Sequence, residues 1–401
     1  MSAPDAPDAP DVPDVFGPAR LGPVTLRNRV IKAATFEGAA PDGLVTDRLV
    51  EFHRAVAAGG AGMTTLAFCA VAPEGRTERR QLLMRPEVVP GLARLAQAVH
   101  AEGARVSAQL GHAGPVADSH SNGVQGISPM RRFNALGLRF DRAATPDDIA
   151  RVVTAHADAA ELAADAGFDA VELHFGHDYF VSAFLSPRIN RRRDEFGGDA
   201  HRRAEVARRT AVAVRERVGD RIAVLAKLTM HDGAGGGTRP EHSLVTARLL
   251  QDDGALDALV LTGGSSLLNP MFLFRGDPPL REFAAAMRPP LRWGIRLSGE
   301  RFLRSYPFEE AYLLPLARQF RAALTMPLVL LGGVTSRKTL DLAMAEGFQF
   351  AAMARALLRE PDLVARLQRD AATTSACIHC NQCVPTIYVG THCPLVPASS
   401  R

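Results

Sequence analysis

The sequence predicts an α/β protein whose strands close into a (β/α)8 TIM barrel. Short apolar runs alternate with longer amphipathic segments along the chain, and eight such runs occur. Most runs are apolar throughout, which is the pattern of a strand buried on both faces of a parallel sheet. A doubly wound open sheet is the alternative. It is disfavoured because the first run is not followed by the GxGxxG turn of nucleotide-binding sheets.

The predicted strands begin near residue 28 and consist mainly of β-branched or other apolar residues. They are Val30–Thr35, Gly62–Ala67, Arg105–Leu110, Ala170–Phe175, Ile222–Thr229, Ala258–Thr262, Leu328–Leu331 and Phe348–Met353. Helix signals recur between them. Thr145 followed by Pro146 and two aspartates predicts a helix start, and glycines such as Gly103 and Gly254 stand where helices end before the next strand.

Segments outside this repeat define the predicted domain organisation. Residues 1–15 form a Pro/Asp-rich start with almost nothing to bury, so we expect them to be disordered. Residues 16–371 form the barrel. Long insertions at 113–145 and 265–305 follow strands and are therefore expected on the catalytic face. Residues 372–401 are a cysteine-rich tail that we expect to pack on the barrel.

Composition excludes several classes of function. The net charge of +4 is small and most basic residues are scattered, which argues against a nucleic-acid partner. No apolar run reaches the ~18 residues that indicate a membrane span, and we find no secretory signal. We therefore expect a cytoplasmic protein that acts on a small molecule. The sequence leaves its oligomeric state open, a homo-oligomer included.

Polar side chains at the carboxyl ends of the strands indicate the expected active site. His174, His177 and Tyr179 follow the fourth strand and are the most informative group, because histidines can polarise a carbonyl oxygen and a tyrosine can donate a proton. His112 and His231 follow the third and fifth strands. Four histidines at strand ends also permit a zinc-dependent hydrolase, since imidazole is a common zinc ligand.

The ends of the last two strands predict a phosphate site. Gly332 and Gly333 allow a ligand to approach the backbone closely, and Arg355 offers a fork of donors that matches a phosphate. Lys227, at the end of the fifth strand, is an unusual choice, because only three of the 47 basic residues are lysines. A lysine in such an arginine-rich chain indicates a specific role.

The tail contains a cysteine motif typical of metal sites, Cys377-x2-Cys380-x2-Cys383-x9-Cys393. Four thiolates with this spacing suit a [4Fe–4S] cluster or zinc. Four free thiols without a metal are the alternative. The fifth cysteine, Cys69, follows the second strand, and we expect it to be a buried apolar side chain.

Longer motifs add a family resemblance. These motifs are Leu21-Gly22-Pro23 with Asn28-Arg29, Gln109-Leu110-Gly111-His112-Ala113-Gly114, His174-x-x-His177-x-Tyr179, Phe184-Leu185-Ser186-Pro187 and Asn190-Arg191-Arg192-Arg193-Asp194-Glu195-Phe196-Gly197-Gly198. From about Leu21 to Arg369 the chain resembles the Old Yellow Enzyme family of FMN-dependent oxidoreductases. The cysteine motif resembles its iron–sulphur branch, which includes dienoyl-CoA reductase and trimethylamine dehydrogenase.

This resemblance implies a set of FMN contacts. Gln109 would contact the flavin pyrimidine ring, and Lys227 would place positive charge at the N1–O2 edge, where the family usually has arginine. The remaining implied contacts lie beside the isoalloxazine or around the phosphate: Ala33, Ala34, Thr35, Gly332, Gly333, Ala354 and Arg355.

The resemblance also implies a reaction. NAD(P)H would reduce the flavin, His174 and His177 would bind the carbonyl of an activated alkene, and Tyr179 would donate a proton. Asp178 departs from the family, because it replaces a glycine and adds charge beside that proton donor. Two alternatives remain. One is a flavin and iron–sulphur dehydrogenase or demethylase of an amine or ring substrate, and the other is the zinc-dependent barrel hydrolase.

Overall fold

The structure, a computed structural model, describes residues 12–397. Its strands are β1 (Ala19–Leu21), β2 (Val24–Leu26), β3 (Val30–Lys32), β4 (Met63–Ala70), β5 (Arg105–Gly111), β6 (Ile127–Ser128), β7 (Arg132–Asn134), β8 (Arg139–Ala143), β9 (Ala170–Phe175), β10 (Ala223–Thr229), β11 (Ala258–Thr262), β12 (Leu328–Leu331) and β13 (Phe350–Met353). A closed parallel barrel is formed, in this order, by β3, β4, β5, β9, β10, β11, β12 and β13. The predicted fold class is therefore confirmed, and each predicted strand is present.

The helices mostly pack around the outside of this barrel. They are α1 (Asp47–Ala58), α2 (Val89–Ala101), α3 (Ser119–Asn122), α4 (Pro146–Asp165), α5 (Phe180–Leu185), α6 (Ala200–Arg203), α7 (Glu205–Val218), α8 (Pro240–Asp252), α9 (Met271–Phe274), α10 (Leu280–Ala286), α11 (Pro289–Phe302), α12 (Leu314–Ala323), α13 (Arg337–Ala345), α14 (Arg355–Arg359) and α15 (Leu363–Arg369). Thr145 caps α4 as predicted: its side chain accepts from the Asp148 N–H, and the Asp148 carboxylate accepts from the Thr145 N–H. No helix within residues 12–397 is long and apolar enough to cross a membrane.

The apolar core has two layers, because successive side chains of a strand point to opposite faces. The outer layer packs between strands and helices and includes Cys69, which is fully buried as expected. The inner layer fills the barrel. It includes Leu21 and Leu26 of the β1–β2 hairpin beside Ala170 and Ala223, which begin barrel strands. The hairpin therefore closes the barrel at the amino ends of its strands, opposite the expected active site.

Both predicted insertions contain secondary structure. The segment 113–145 contains a three-stranded sheet ordered β6-β8-β7, and the segment 265–305 contains helices α9 to α11. Most of the predicted disordered start, residues 1–11, lies outside the described residues. Val15 was assigned to that start, but it is buried, and its carbonyl accepts from the Arg29 N–H at 2.9 Å. Val15 therefore packs on the barrel, and the extent of the disordered start stays a prediction.

Candidate active site

A cavity of about 860 Å³ opens at the carboxyl ends of the barrel strands. Strand ends, both long insertions and part of the tail contribute to its wall. The sequence-predicted flavin and substrate residues all line it: Ala33, Ala34, Thr35, Gln109, His174, His177, Tyr179, Lys227, Gly332, Gly333, Ala354 and Arg355. The fold thus brings residues from widely separated parts of the chain to one space, although their individual roles remain predictions.

Lys227 and Gln109 are held by one carboxylate. Glu172 Oε1 lies 2.8 Å from Lys227 Nζ and accepts a hydrogen bond from Gln109 Nε2 at 2.6 Å. The three residues stand on the neighbouring strands β10, β9 and β5. Glu172 was not predicted as a site residue. Its signal was a lone carboxylate within an otherwise mostly apolar strand, which requires a partner when buried.

His174, His177 and Tyr179 form a compact group of rings. The His174 ring centroid lies 5.1 Å from that of His177 and 4.4 Å from that of Tyr179. His177 Nδ1 is 3.4 Å from His174 Nε2, and His177 Nε2 is 3.1 Å from Thr262 Oγ1. The Phe68 ring covers one side of the group, with its centroid 5.2 Å from that of Tyr179. The predicted convergence of these side chains is therefore present.

A left-handed turn directs this group into the cavity. His177 and Asp178 have φ values of 60° and 61°, which cost side-chain-bearing residues about 1–3 kcal/mol each. The start of the second insertion holds the turn in place. The Ser265 hydroxyl donates to the buried Asp178 carboxylate, and the Ser266 N–H donates to the His177 carbonyl at 3.2 Å. The insertion thus fixes the orientation of the histidines as well as lining the cavity.

Burial determines the protonation of the group. Burial, together with His177 and Lys227, lowers the pKa of His174 well below its usual value. Burial and Lys227 lower the pKa of His177 to about 3, so both imidazoles are neutral near pH 7. Burial raises the pKa of Tyr179, which keeps its phenol protonated. His174 Nδ1 is buried with no partner in the described part of the chain, so a ligand can hydrogen-bond to it.

The paired glycines at the end of β12 are required by the local backbone. Gly332 and Gly333 have φ values of 99° and 74°, and a Cβ on Gly333 would lie 2.6 Å from the Glu309 carbonyl oxygen. Side chains are thus excluded on steric and conformational grounds. Backbone forms the cavity wall at this point, as a phosphate site needs.

Arg355 lines the same cavity but is engaged by protein groups. Its guanidinium donates to Asn381 Oδ1 in the tail and to the Phe274 carbonyl of the second insertion. Arg355 therefore joins these two segments to the end of the barrel. Its predicted contact with a phosphate stays a prediction.

The other two strand-end histidines serve local structure. His112 Nδ1 accepts from the Gly114 N–H at 2.9 Å, and His231 Nδ1 accepts from the Gly233 N–H at 2.7 Å. Neither histidine lines the cavity. Across residues 12–397, no group of three or more His, Cys, Asp or Glu side chains is arranged to hold a metal ion. The four histidines therefore do not converge as the zinc hypothesis requires.

The tail cysteines lie near one another as free thiols. Cys383 lines the cavity, and burial, with smaller effects from Cys377, Cys393 and Cys380, raises its pKa to about 12. Cys393 Sγ lies 3.5 Å from Arg359 Nη1. The predicted role of these cysteines as metal ligands is not shown, because the described thiols lack the arrangement that holds a single ion.

Comparisons with known proteins identify the family. A family model described as NADH:flavin oxidoreductase / NADH oxidase matches residues 14–254. The 4,4'-dithiodibutanoate disulfide reductase of Rhodococcus erythropolis is 51% identical over 379 residues, which cover 94% of each chain. The chain belongs to the NADH:flavin oxidoreductase / NADH oxidase family. This flavin oxidoreductase is therefore an FMN-dependent enzyme that uses NAD(P)H, similar to Old Yellow Enzyme.

Further relatives of the flavin oxidoreductase are longer or more distant. The metal reductase of Desulforamulus reducens is 30% identical, and the chain spans 51% of that protein's length. The old yellow enzyme homologue of Zymomonas mobilis superposes with a TM-score of 0.72 at 23% identity, covering 95% of this chain and 98% of that one. A 2-naphthoyl-CoA reductase superposes with a TM-score of 0.79 at 23% identity, covering 94% of this chain and 55% of that one. These two structures share the fold.

Proposed function

We propose that this flavin oxidoreductase reduces a small organic electrophile with electrons from NAD(P)H. The observation that carries the proposal is the arrangement of the cavity, where Lys227 and Gln109, both held by Glu172, line one space with the buried His174 and Tyr179. Bound FMN supplies hydride transfer to such an electrophile. The chain's own residues hold the two reactants and fix their protonation.

The residues present fit an FMN. Gln109 and Lys227 offer an amide and a cation for the polar edge of the ring, and Glu172 fixes both. The small side chains of Ala33 and Ala34 leave room for a flat ring in the cavity wall. The paired glycines after β12 line the cavity at the place predicted for the phosphate. A positive group beside the ring would favour the reduced, anionic flavin.

An organic disulfide is the favoured substrate class, because the Rhodococcus relative that matches over nearly the whole chain is named for one. The reaction would consume one disulfide, one NAD(P)H and one proton, break the S–S bond and release two thiols and NAD(P)⁺. The neutral imidazoles of His174 and His177 would donate hydrogen bonds to the departing sulphur. A free cysteine thiol has a pKa of about 8.5, so a thiolate is a stable leaving group. Its release therefore needs no strong acid.

An activated alkene is the second candidate, and Tyr179 favours it. Alkene reduction adds hydride to the β-carbon and needs a proton at the α-carbon, where negative charge develops. The buried phenol holds its proton firmly, since burial raises its pKa. Such an acid can protonate the strongly basic α-carbon of the alkene. A departing thiolate does not need this proton, because it is a weaker base than the tyrosinate. The same cavity thus supports two chemistries that depend differently on one residue.

Tyr179→Phe is the experiment that tests these proposals. We expect flavin reduction by NAD(P)H to be unchanged, alkene reduction to slow by about 10²–10⁴-fold, and disulfide reduction to persist. Anaerobic rapid mixing would measure each half-reaction separately in the FMN-loaded enzyme. Equal slowing of flavin reduction and alkene reduction would contradict the proton-donor role. Failure of both substrate classes to reoxidise the wild-type flavin would contradict the proposed substrates.

The same preparation tests the remaining proposals on redox partners. An iron–sulphur cluster at Cys377, Cys380, Cys383 and Cys393 predicts bound iron and acid-labile sulphide, whereas zinc alone would contradict it. A dehydrogenase or demethylase predicts that an amine or hydroxylated ring reduces the flavin anaerobically without NAD(P)H. If such substrates do not reduce the flavin, the dehydrogenase hypothesis is contradicted and the reductase hypothesis stands.

A further inference from the structure

Arg132 is a cation in the cavity wall whose side chain has no hydrogen bond or ion pair among residues 12–397. It begins β7, in the first insertion, and its side chain lines the cavity. Its Nε is buried with no hydrogen-bond partner, and within residues 12–397 no carboxylate forms an ion pair with its guanidinium. By contrast, Arg288 lines the same cavity and lies 3.3 Å from Asp118 Oδ1. Of these two arginines, Arg132 is thus the one whose charge is left for a ligand.

The acids nearest to Arg132 are engaged elsewhere. Asp141 accepts hydrogen bonds from Asn134 Nδ2 at 3.3 and 3.2 Å, and Asp178 accepts from the Ser265 hydroxyl. Burial raises the pKa of Asp141 to about 6 and that of Asp178 to about 7. Asp178 is therefore only partly ionised near neutral pH, and neither carboxyl is within ion-pair distance of Arg132. A half-buried guanidinium left in this state costs free energy unless a ligand compensates it.

The second insertion supplies mainly apolar side chains to the wall, beside Arg288. Helix α11 contributes three apolar side chains to the cavity, Leu291, Ile295 and Phe302. Met287, just before the helix, contributes a fourth. A ligand that fits this space therefore combines an apolar chain with an anionic group. A planar guanidinium matches a carboxylate in geometry as well as charge.

We propose that Arg132 binds a carboxylate of the substrate and thereby selects organic acids whose reactive bond is carried on an apolar chain. The inference rests on the proposed function, since the acid must be attached to a molecule that the flavin can reduce. It applies to an acidic disulfide and to an acidic alkene alike. Arg132 would be a specificity residue that acts on binding, while the His174 and Tyr179 group acts at the reacting atoms.

Arg132→Gln tests the inference in the FMN-loaded enzyme. With 4,4'-dithiodibutanoate we expect KM to rise about 10- to 100-fold, the range for a lost charge-assisted contact, while kcat changes little. With the uncharged diamide of the same disulfide we expect no change in KM. Arg132→Lys keeps the charge and should recover part of the loss. Equal losses for diacid and diamide would overturn the inference.

Arg131→Gln is the matched control. Arg131 precedes Arg132, but its guanidinium lies 4.2 Å from the centroid of the Phe140 ring, and it does not line the cavity. We expect this variant to keep the wild-type KM for both substrates. A rise in the KM for the diacid equal to that of Arg132→Gln would show a general surface-charge effect and overturn the specific role.

A binding measurement separates this inference from the proposed function. The thioether diacid 4,4'-thiodibutanoate has no S–S bond, so its affinity for the oxidised enzyme, measured by calorimetry, does not depend on turnover. We expect Arg132→Gln to weaken it about 10- to 100-fold. If wild type reduces neither disulfides nor alkenes but shows this Arg132-dependent binding, the proposed function fails and the acid site stands. If wild type reduces the disulfide but Arg132→Gln binds the thioether diacid as tightly as wild type, the inference fails and the proposed function stands.

Discussion

Two lysine–glutamate pairs lie on opposite sides of the barrel wall. Lys32 Nζ is 2.8 Å from Glu37 Oε1, and Lys227 Nζ is 2.8 Å from Glu172 Oε1. All four side chains are almost fully buried. Lys32 packs outside the barrel, beneath helix α1, where its ammonium lies 4.7 Å from the Phe52 ring centroid. Lys227 points into the cavity.

The difference between these pairs lies in what surrounds the ammonium. Around Lys32 protein groups occupy every side: Glu37, the Thr65 carbonyl at 3.4 Å and the Phe52 ring. Lys227 donates to Glu172 but also borders open cavity space. The same pair of residues is therefore closed in one place and available to a ligand in the other. Successive side chains of a strand face alternately the inside and the outside of the barrel. The position of each lysine along its strand therefore determines whether the pair is closed or open.

Lys32→Met would break the closed pair and has the largest expected effect. It leaves Glu37 buried without its main counter-charge, so we expect the free energy of unfolding to fall by about 3–5 kcal/mol. Denaturant unfolding monitored by circular dichroism would measure the loss. The double variant with Glu37→Gln removes both charges and should recover much of it. A double variant as unstable as Lys32→Met would contradict the ion-pair explanation.

Lys227→Gln would break the open pair and should act mainly on the cofactor. We expect FMN affinity, measured by flavin fluorescence quenching, to fall about 10- to 100-fold, with a smaller loss of stability because Gln109 still donates a hydrogen bond to Glu172. Lys227→Arg keeps the charge and should bind FMN nearly as well as wild type. Unchanged FMN affinity in Lys227→Gln would refute the predicted contact of this lysine with the flavin.

The smallest expected effect is on the pH dependence of stability, which tests the closed pair through Glu37. Burial opposes ionisation of Glu37, but Lys32 and His53 lower its pKa to about 2, below the usual 4.5. A carboxylate with a lowered pKa stabilises the fold above the unfolded pKa and loses this contribution as pH falls towards the folded one. The stability gap between wild type and Glu37→Gln, in which position 37 cannot titrate, should therefore be full at pH 7 and narrow between about pH 4.5 and 2. Unfolding curves that keep a constant gap across this range would contradict the assignment.

Much of the fold was predictable because buried parallel strands are apolar throughout. Gln109 and Lys227, predicted from their positions at strand ends and from the family resemblance, both line the cavity. Scarcity of lysine, however, marks Lys32 as strongly as Lys227, and composition cannot tell the two faces of the wall apart. Glu172 also escaped prediction, because its role follows from two partners on neighbouring strands.

The importance of Arg132 was even less accessible from the sequence. An arginine among so many is unremarkable until the positions of the surrounding carboxylates are known. The small sheet that holds it has strands of only two to five residues, too short for a clear periodic pattern. The cysteine motif shows the opposite situation, since a strong spacing signal is not matched by ion-binding geometry in the described residues.

The link between the tail and the first barrel strand has a consequence for biosynthesis. The Thr391 hydroxyl donates to the Phe36 carbonyl, 355 residues earlier in the chain, and the Thr391 N–H donates to the Glu37 carbonyl at 2.7 Å. At ribosomal rates of about 5–20 residues per second, these partners are made roughly 20–70 s apart. The cofactor pocket thus stays open on the ribosome until the tail emerges. The complete pocket is accordingly available to FMN only late in synthesis, after the apolar wall of the cavity has already been made.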